Sequence, residues 1–154
     1  MVGAGKPAPD FTLLDQHGKK VTLSKLKGSP IVLYFYPKDD TPGCTKEACA
    51  FRNAFADYEK AGAKILGVSP DGVESHAKFT NKHELPYTLL ADTETKVCAA
   101  YGVWKEKSMY GKKYMGVERT TFVIDAKGIV RQVFPKGKVQ GHSDAVLEAV
   151  KACK

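Results

Sequence analysis

Apolar residues recur along this chain with two periods, short strand-like runs separated by stretches spaced for helices. Residues 11–14 and 21–23 flank Asp15-Gln16-His17-Gly18-Lys19, a hairpin pattern with glycine in its turn. Ile31-Val32-Leu33-Tyr34-Phe35-Tyr36 has no polar break, which predicts a strand buried on both faces. Across 45–60, Ala48, Phe51, Phe55 and Tyr58 keep a spacing of three to four, so one amphipathic helix is expected there, stopped by Gly62. A second core strand follows at 64–69, then a helix at 73–83 and a short strand at 87–90. Asp92 is placed to cap a helix carrying Val97, Cys98 and Tyr101. Residues 120–125 and 129–134 surround Ala126-Lys127-Gly128 as a second hairpin, and 143–152 reads as a closing helix with Val146, Leu147 and Val150 inward. Strands alternating with helices in this order predict a three-layer α/β sandwich around a mixed sheet.

A chain of 154 residues fits one domain spanning 1–154 and is long enough to hold a core without disulfides or a structural metal. With 43% hydrophobic and 27% charged residues it lies near the globular mean, so wholesale disorder is excluded. No apolar run is long enough to span a membrane, and the start, Met1-Val2-Gly3-Ala4-Gly5-Lys6-Pro7, lacks a secretory core. The net charge of +7 raises nucleic acid as a partner. The basic residues are scattered, however, and only Arg52, Arg119 and Arg131 are arginines, so a solvated lysine-rich surface is the expectation.

The four cysteines, Cys44, Cys49, Cys98 and Cys153, are expected to be reduced thiols in the cytoplasm. No C-x2-C pair exists and His17, His76, His83 and His142 do not cluster, so no metal site is expected. The missing C-x-x-C also argues against an ordinary disulfide reductase. Chemistry concentrates instead at Pro37-Lys38-Asp39-Asp40-Thr41-Pro42-Gly43-Cys44, where a buried strand gives way to a polar loop and a helix start. Thr41 suits the N-cap and Pro42 the first helical position, which puts Cys44 in the first turn. There, unpaired backbone N–H groups and the positive helix end favour the thiolate, the reactive form.

This segment resembles the active site of the peroxiredoxins, whose pattern P-x-x-x-[TS]-x-x-C is met by Pro37, Thr41 and Cys44. The run from Pro42 to Cys49 is similar to the bacterioferritin comigratory protein (peroxiredoxin Q) branch. The likeness extends from Ala8-Pro9-Asp10-Phe11 through Gly67-Val68-Ser69 and Leu85-Pro86-Tyr87 to Glu118-Arg119-Thr120-Thr121-Phe122. It implies a thioredoxin-like fold and a peroxidase acting on hydrogen peroxide and organic hydroperoxides. Cys44 would attack the peroxide, Thr41 would hydrogen-bond thiolate and substrate, Pro37 would shield the pocket, and Arg119 would stabilise thiolate and oxyanion. A thioredoxin-type dithiol would be the reductant, the protein a monomer, and no cofactor would be needed.

The resemblance also makes Cys49 the resolving cysteine. Five residues apart on an intact helix, two Cα atoms lie about 8.6 Å from one another, beyond the roughly 7 Å that a disulfide tolerates. Pairing therefore requires the helix start to unwind. Some members of the branch carry this cysteine on the following helix, but 73–83 contains none. Cys98 and Cys153 are expected to be bystanders. Two other classes fit the scaffold: a disulfide oxidoreductase, which would not consume peroxide, and a basic binding or chaperone module, which would be indifferent to Cys44→Ser.

Overall fold

The computed structural model describes residues 1–135 and 142–153. Its centre is strand β3 (Ile31–Phe35), buried at every position. Val32 and Tyr34 point into one apolar cluster, and Ile31, Leu33 and Phe35 into the other, as the two-residue period of a strand dictates. The unbroken apolar run thus follows from being covered on both faces.

Around β3 the main sheet has seven strands. In chain order these are β1 (Thr12–Asp15), β2 (Lys20–Thr22), β3, β4 (Lys64–Ser69), β5 (Thr88–Ala91), β8 (Thr120–Ile124) and β9 (Val130–Pro135). Their spatial order is β2-β1-β5-β4-β3-β8-β9. Strands β3, β4 and β5 are parallel, while β1, β2, β8 and β9 join antiparallel, giving the mixed sheet expected. Helices α1 (Pro42–Asn53), α2 (Phe55–Lys60), α3 (Val73–His83) and α5 (His142–Ala152) contribute Phe51, Tyr58, Phe79 and Val150 to one face. Helix α4 (Lys96–Ala100) puts Val97 and Cys98 on the other. At Gly67 on β4 a Cβ would stand 2.8 Å from Cζ of Tyr34 and 2.9 Å from Cδ2 of Leu89, so only glycine lets these side chains pack across the strand. No helix among the described residues is long and apolar enough to cross a membrane.

Three expectations need correcting, and one element is additional. The single helix read across 45–60 is two helices, starting at Pro42 and broken at Ala54, whose φ of −94° and ψ of 2° interrupt the α conformation. The apolar period runs straight through the break, so it hid it. Thr41 takes the extended N-cap backbone, but its hydroxyl makes no capping bond. A hairpin, β6 (Trp104–Met109) with β7 (Lys112–Val117), stands apart as a two-stranded sheet that the pattern did not reveal. The N-cap of α4 is Thr95 rather than Asp92, but the Asp92 carboxylate reaches in from upstream and accepts from the backbone N–H groups of Val97 and Cys98 at 3.3 and 2.8 Å.

Candidate active site

Strand β3 delivers the chain to Tyr36, and the loop 37–41 carries it to the start of α1. A buried polar network holds that loop. Asp39 accepts from Tyr36 Oη at 2.5 Å and from Ser75 Oγ at 2.8 Å, and its Oδ2 lies 2.7 Å from Nδ1 of His76. The Asp39 backbone N–H donates to Asp71 Oδ2 at 2.8 Å. Nε2 of the fully buried His76 is 2.9 Å from the Leu90 carbonyl, which can only accept, so that nitrogen carries a proton. The loop is thereby tied to β4, α3 and β5. Asp40, at φ of 60°, makes the left-handed turn toward the helix and pairs with Lys82 at 2.8 Å.

Pro42 occupies the first helical position and Cys44 follows in the first turn, only 2% exposed. The Phe35–Thr120 pairing of β3 and β8 sets Arg119, the residue before Thr120, over this helix start. Its Nη2 donates to Cys44 Sγ at 3.3 Å and its Nη1 to Glu47 Oε1 at 2.9 Å. One planar fork thus serves a thiol and a carboxylate one helical turn apart. Burial works against the guanidinium charge, but Glu47 and Cys44 outweigh it and keep Arg119 protonated.

Of the residues singled out in the sequence, Cys44 and Arg119 are in direct contact. Thr41 precedes the helix, and its hydroxyl donates to the Lys38 carbonyl at 2.9 Å. With that proton committed, Oγ1 can accept from a bound hydroperoxide but cannot also donate to the thiolate. Pro37 is half-buried at the head of the loop. Cys49 sits half-buried on α1 with a free thiol, on the same helix as Cys44.

Cys98 is fully buried, and burial reinforced by the Asp92 carboxylate pushes its thiol well above the ordinary range. Cys153 donates to the Ala149 carbonyl at 3.3 Å, and burial raises it too. Both therefore hold less thiolate than an ordinary cysteine.

Glu47, His142 and Lys107 were not singled out in the sequence. Glu47 is buried, and desolvation lifts its carboxyl to about 7 although Arg119 opposes the rise. His142, the first residue of α5, has Nε2 2.8 Å from Thr121 Oγ1 and 3.7 Å from Glu47 Oε2. Lys107 comes from the β6–β7 hairpin. Burial, then the Arg119 charge, lowers its ammonium, while Glu118 and Cys44 pull it up, which places it in the field of the site. A cleft of 440 Å³ between the loop and α3 is lined by Asp39, Asp40 and Lys82 but not by Cys44 or Arg119. The Cys44 sulfur instead lies against the Arg119 guanidinium, which also holds Glu47.

The AhpC/TSA family pattern matches residues 4–133. A putative peroxiredoxin Bcp of Coxiella burnetii is 52% identical over 146 residues, covering 95% of this chain and 97% of the relative. Peroxiredoxin Bcp of Bacillus subtilis is 50% identical, covering 96% and 94%. A solved structure of the Xanthomonas campestris bacterioferritin comigratory protein, studied for alkyl peroxide reduction, superposes with a TM-score of 0.91. It is 45% identical and covers 97% of this chain and 98% of that one. A buried cysteine held by an arginine at a helix start, on this sheet and with these relatives, makes the chain a member of the AhpC/TSA family, a peroxiredoxin of the bacterioferritin comigratory protein (peroxiredoxin Q) type.

Proposed function

We propose that this peroxiredoxin reduces hydrogen peroxide and organic hydroperoxides through a Cys44 sulfenic acid and an intramolecular Cys44–Cys49 disulfide, recycled by a thioredoxin-type dithiol. The observation that carries the reading is the 3.3 Å contact between Arg119 Nη2 and Cys44 Sγ in the first turn of α1. The thiolate attacks the terminal peroxide oxygen; an S–O bond forms, the O–O bond breaks, and water or an alcohol leaves with a proton. Arg119 already faces the sulfur and stabilises the charge that develops on the departing oxygen. Thr41 Oγ1 accepts from the hydroperoxide, and Pro37 limits water.

Cys49 sulfur then attacks the sulfenic sulfur and displaces water, giving the disulfide. A dithiol reduces it by exchange, leaving two thiols here and a disulfide on the partner. Because both cysteines lie on α1, the first turns must open for this step. The reading takes the enzyme to act as a monomer in the cytoplasm, without nucleic acid, membrane or cofactor.

Peroxide turnover driven by thioredoxin, thioredoxin reductase and NADPH tests it. Cys44→Ser should abolish turnover. Cys49→Ser should consume one equivalent of peroxide and then stop, leaving a sulfenic acid that dimedone traps. Undiminished steady-state turnover in Cys49→Ser would overturn the disulfide assignment.

A further inference from the structure

Glu47 lies on α1 between the two cysteines that the proposed disulfide joins, and only 1% of its side chain is exposed. Its oxygens are treated unequally. Oε1 takes the Arg119 hydrogen bond, whereas Oε2 is buried with no hydrogen-bond partner among the described residues. Across from Oε2, at 3.7 Å, stands Nε2 of buried His142, too far for a hydrogen bond. The other titratable groups coupled to this carboxyl are Arg119 before β8, Tyr34 on β3 and Tyr87 before β5, while Cys44 on α1 shares the Arg119 guanidinium with it. A charged carboxylate leaves Oε2 unsatisfied in this setting. A protonated one removes the buried charge, the larger cost, and leaves the Cys44 thiolate as the anion on Arg119.

We propose that Glu47 and His142 are positioning residues that hold α1 in its helical, peroxide-reducing form, and that Glu47 releases a proton to solvent when α1 unwinds for the disulfide. The inference rests on the Cys44–Cys49 reading. Because Glu47 lies within the segment that must open, opening carries its carboxyl into water. There it ionises in the ordinary carboxylate range near 4.5, rather than at about 7 as in the helix.

The helical form therefore holds one more proton between those two values. Raising the pH through that window favours the opened form by up to about tenfold per pH unit, and the effect is flat outside it. His142 matters because its buried ring stands 3.7 Å from Oε2, where water would otherwise solvate that oxygen. Without it the carboxyl is better solvated and ionises at lower pH.

The test mixes wild type, Glu47→Gln and His142→Gln with one equivalent of hydrogen peroxide at pH 4.5 to 8. Samples are quenched in acid, and the Cys44–Cys49 peptide is quantified by mass spectrometry. Glu47→Gln keeps the side-chain shape but cannot ionise. Taking the ratio of wild-type to Glu47→Gln resolution rates cancels the ionisation of Cys49, which the two share. That ratio should climb with pH, by up to about tenfold per unit from roughly 5 to 7, and level off above. His142→Gln should move the climb toward acid, and this shift decides the matter should Glu47→Gln fold poorly. A flat ratio with the linked peptide present, or an unmoved profile in His142→Gln, overturns this inference alone. Absence of the linked peptide in wild type overturns the disulfide reading and this inference with it.

Discussion

A side-chain carbon on Gly43 would stand 3.1 Å from Nη2 of Arg119, the nitrogen that donates to Cys44. The glycine beside Cys44 leaves room for the guanidinium to lie against the helix start. Gly43→Ala should therefore leave the fold intact, since alanine favours helix, yet push Nη2 off the sulfur. The second-order rate with hydrogen peroxide should fall by about tenfold, corresponding to roughly 1.4 kcal/mol of lost stabilisation. Competition against a peroxidase of known rate, alongside a thermal melt, separates the two effects.

Arg119→Met should be more severe. It removes the donor to Cys44 and the one cation that lowers the Glu47 carboxyl, so Glu47 stays a buried neutral acid to higher pH. Loss of a preorganised charge at a developing oxyanion costs about 10²–10³ in rate. Stopped-flow peroxide kinetics should show that loss while circular dichroism shows the fold retained.

His76→Ala should destabilise the protein and loosen the catalytic loop together. It strips one of two partners from buried Asp39 Oδ2, leaving Ser75, and the donor from the Leu90 carbonyl. Removing one member of a buried pair costs about 3–5 kcal/mol, which urea unfolding would read directly. A loss well under 1 kcal/mol would mean that the remaining Tyr36 and Ser75 bonds hold Asp39 unaided.

Global stability carries the Glu47 signature as well. Its folded carboxyl titrates at about 7 against an ordinary 4.5, so the folded state binds the extra proton between those values. Stability from this group is therefore lost as pH rises through the window, at no more than about 1.4 kcal/mol per pH unit. The difference in unfolding free energy between wild type and Glu47→Gln, measured at pH 5 and pH 7, should shift in that direction.

Amide hydrogen exchange should locate the opened segment in the disulfide form. Phe51 is wholly buried and the backbone is already broken at Ala54, so fast exchange is expected from about residue 41 to about 52, with α2 still protected. Equal protection in reduced and oxidised protein would exclude a Cys44–Cys49 bond.

The central strands were legible because burial on both faces writes an uninterrupted apolar run, and the helix start at Cys44 because proline and threonine punctuate it. The β6–β7 hairpin was not. Its strands are lysine-rich and largely exposed, so neither face carries an apolar period. The signal lay in its turn, where Tyr110 and Gly111 both take positive φ. Glu47 was overlooked as an ordinary charged helix residue, although it shares the buried face of α1 with Cys44, Ala48 and Phe51 at helical spacing. A carboxylate on an otherwise apolar stripe is the pattern that could have found it. His142 had no such pattern, since its partners Thr121 and Glu47 are distant in sequence and meet only through the fold.

The pairing of Phe35 with Thr120 acts as the gauge by which the enzyme sets its own working tolerance. Arg119 precedes one of these residues by a single step, and Tyr36 follows the other. Sliding β8 by two residues, the smallest slip that keeps its faces correctly turned, would carry the guanidinium about 7 Å along the strand. That is more than twice its 3.3 Å separation from the sulfur. Insertions at the exposed Tyr110–Gly111 tip leave this gauge unread and should be harmless. One added residue between Tyr36 and Cys44, or between Val117 and Thr120, would detune the thiol while most of the core remained in place.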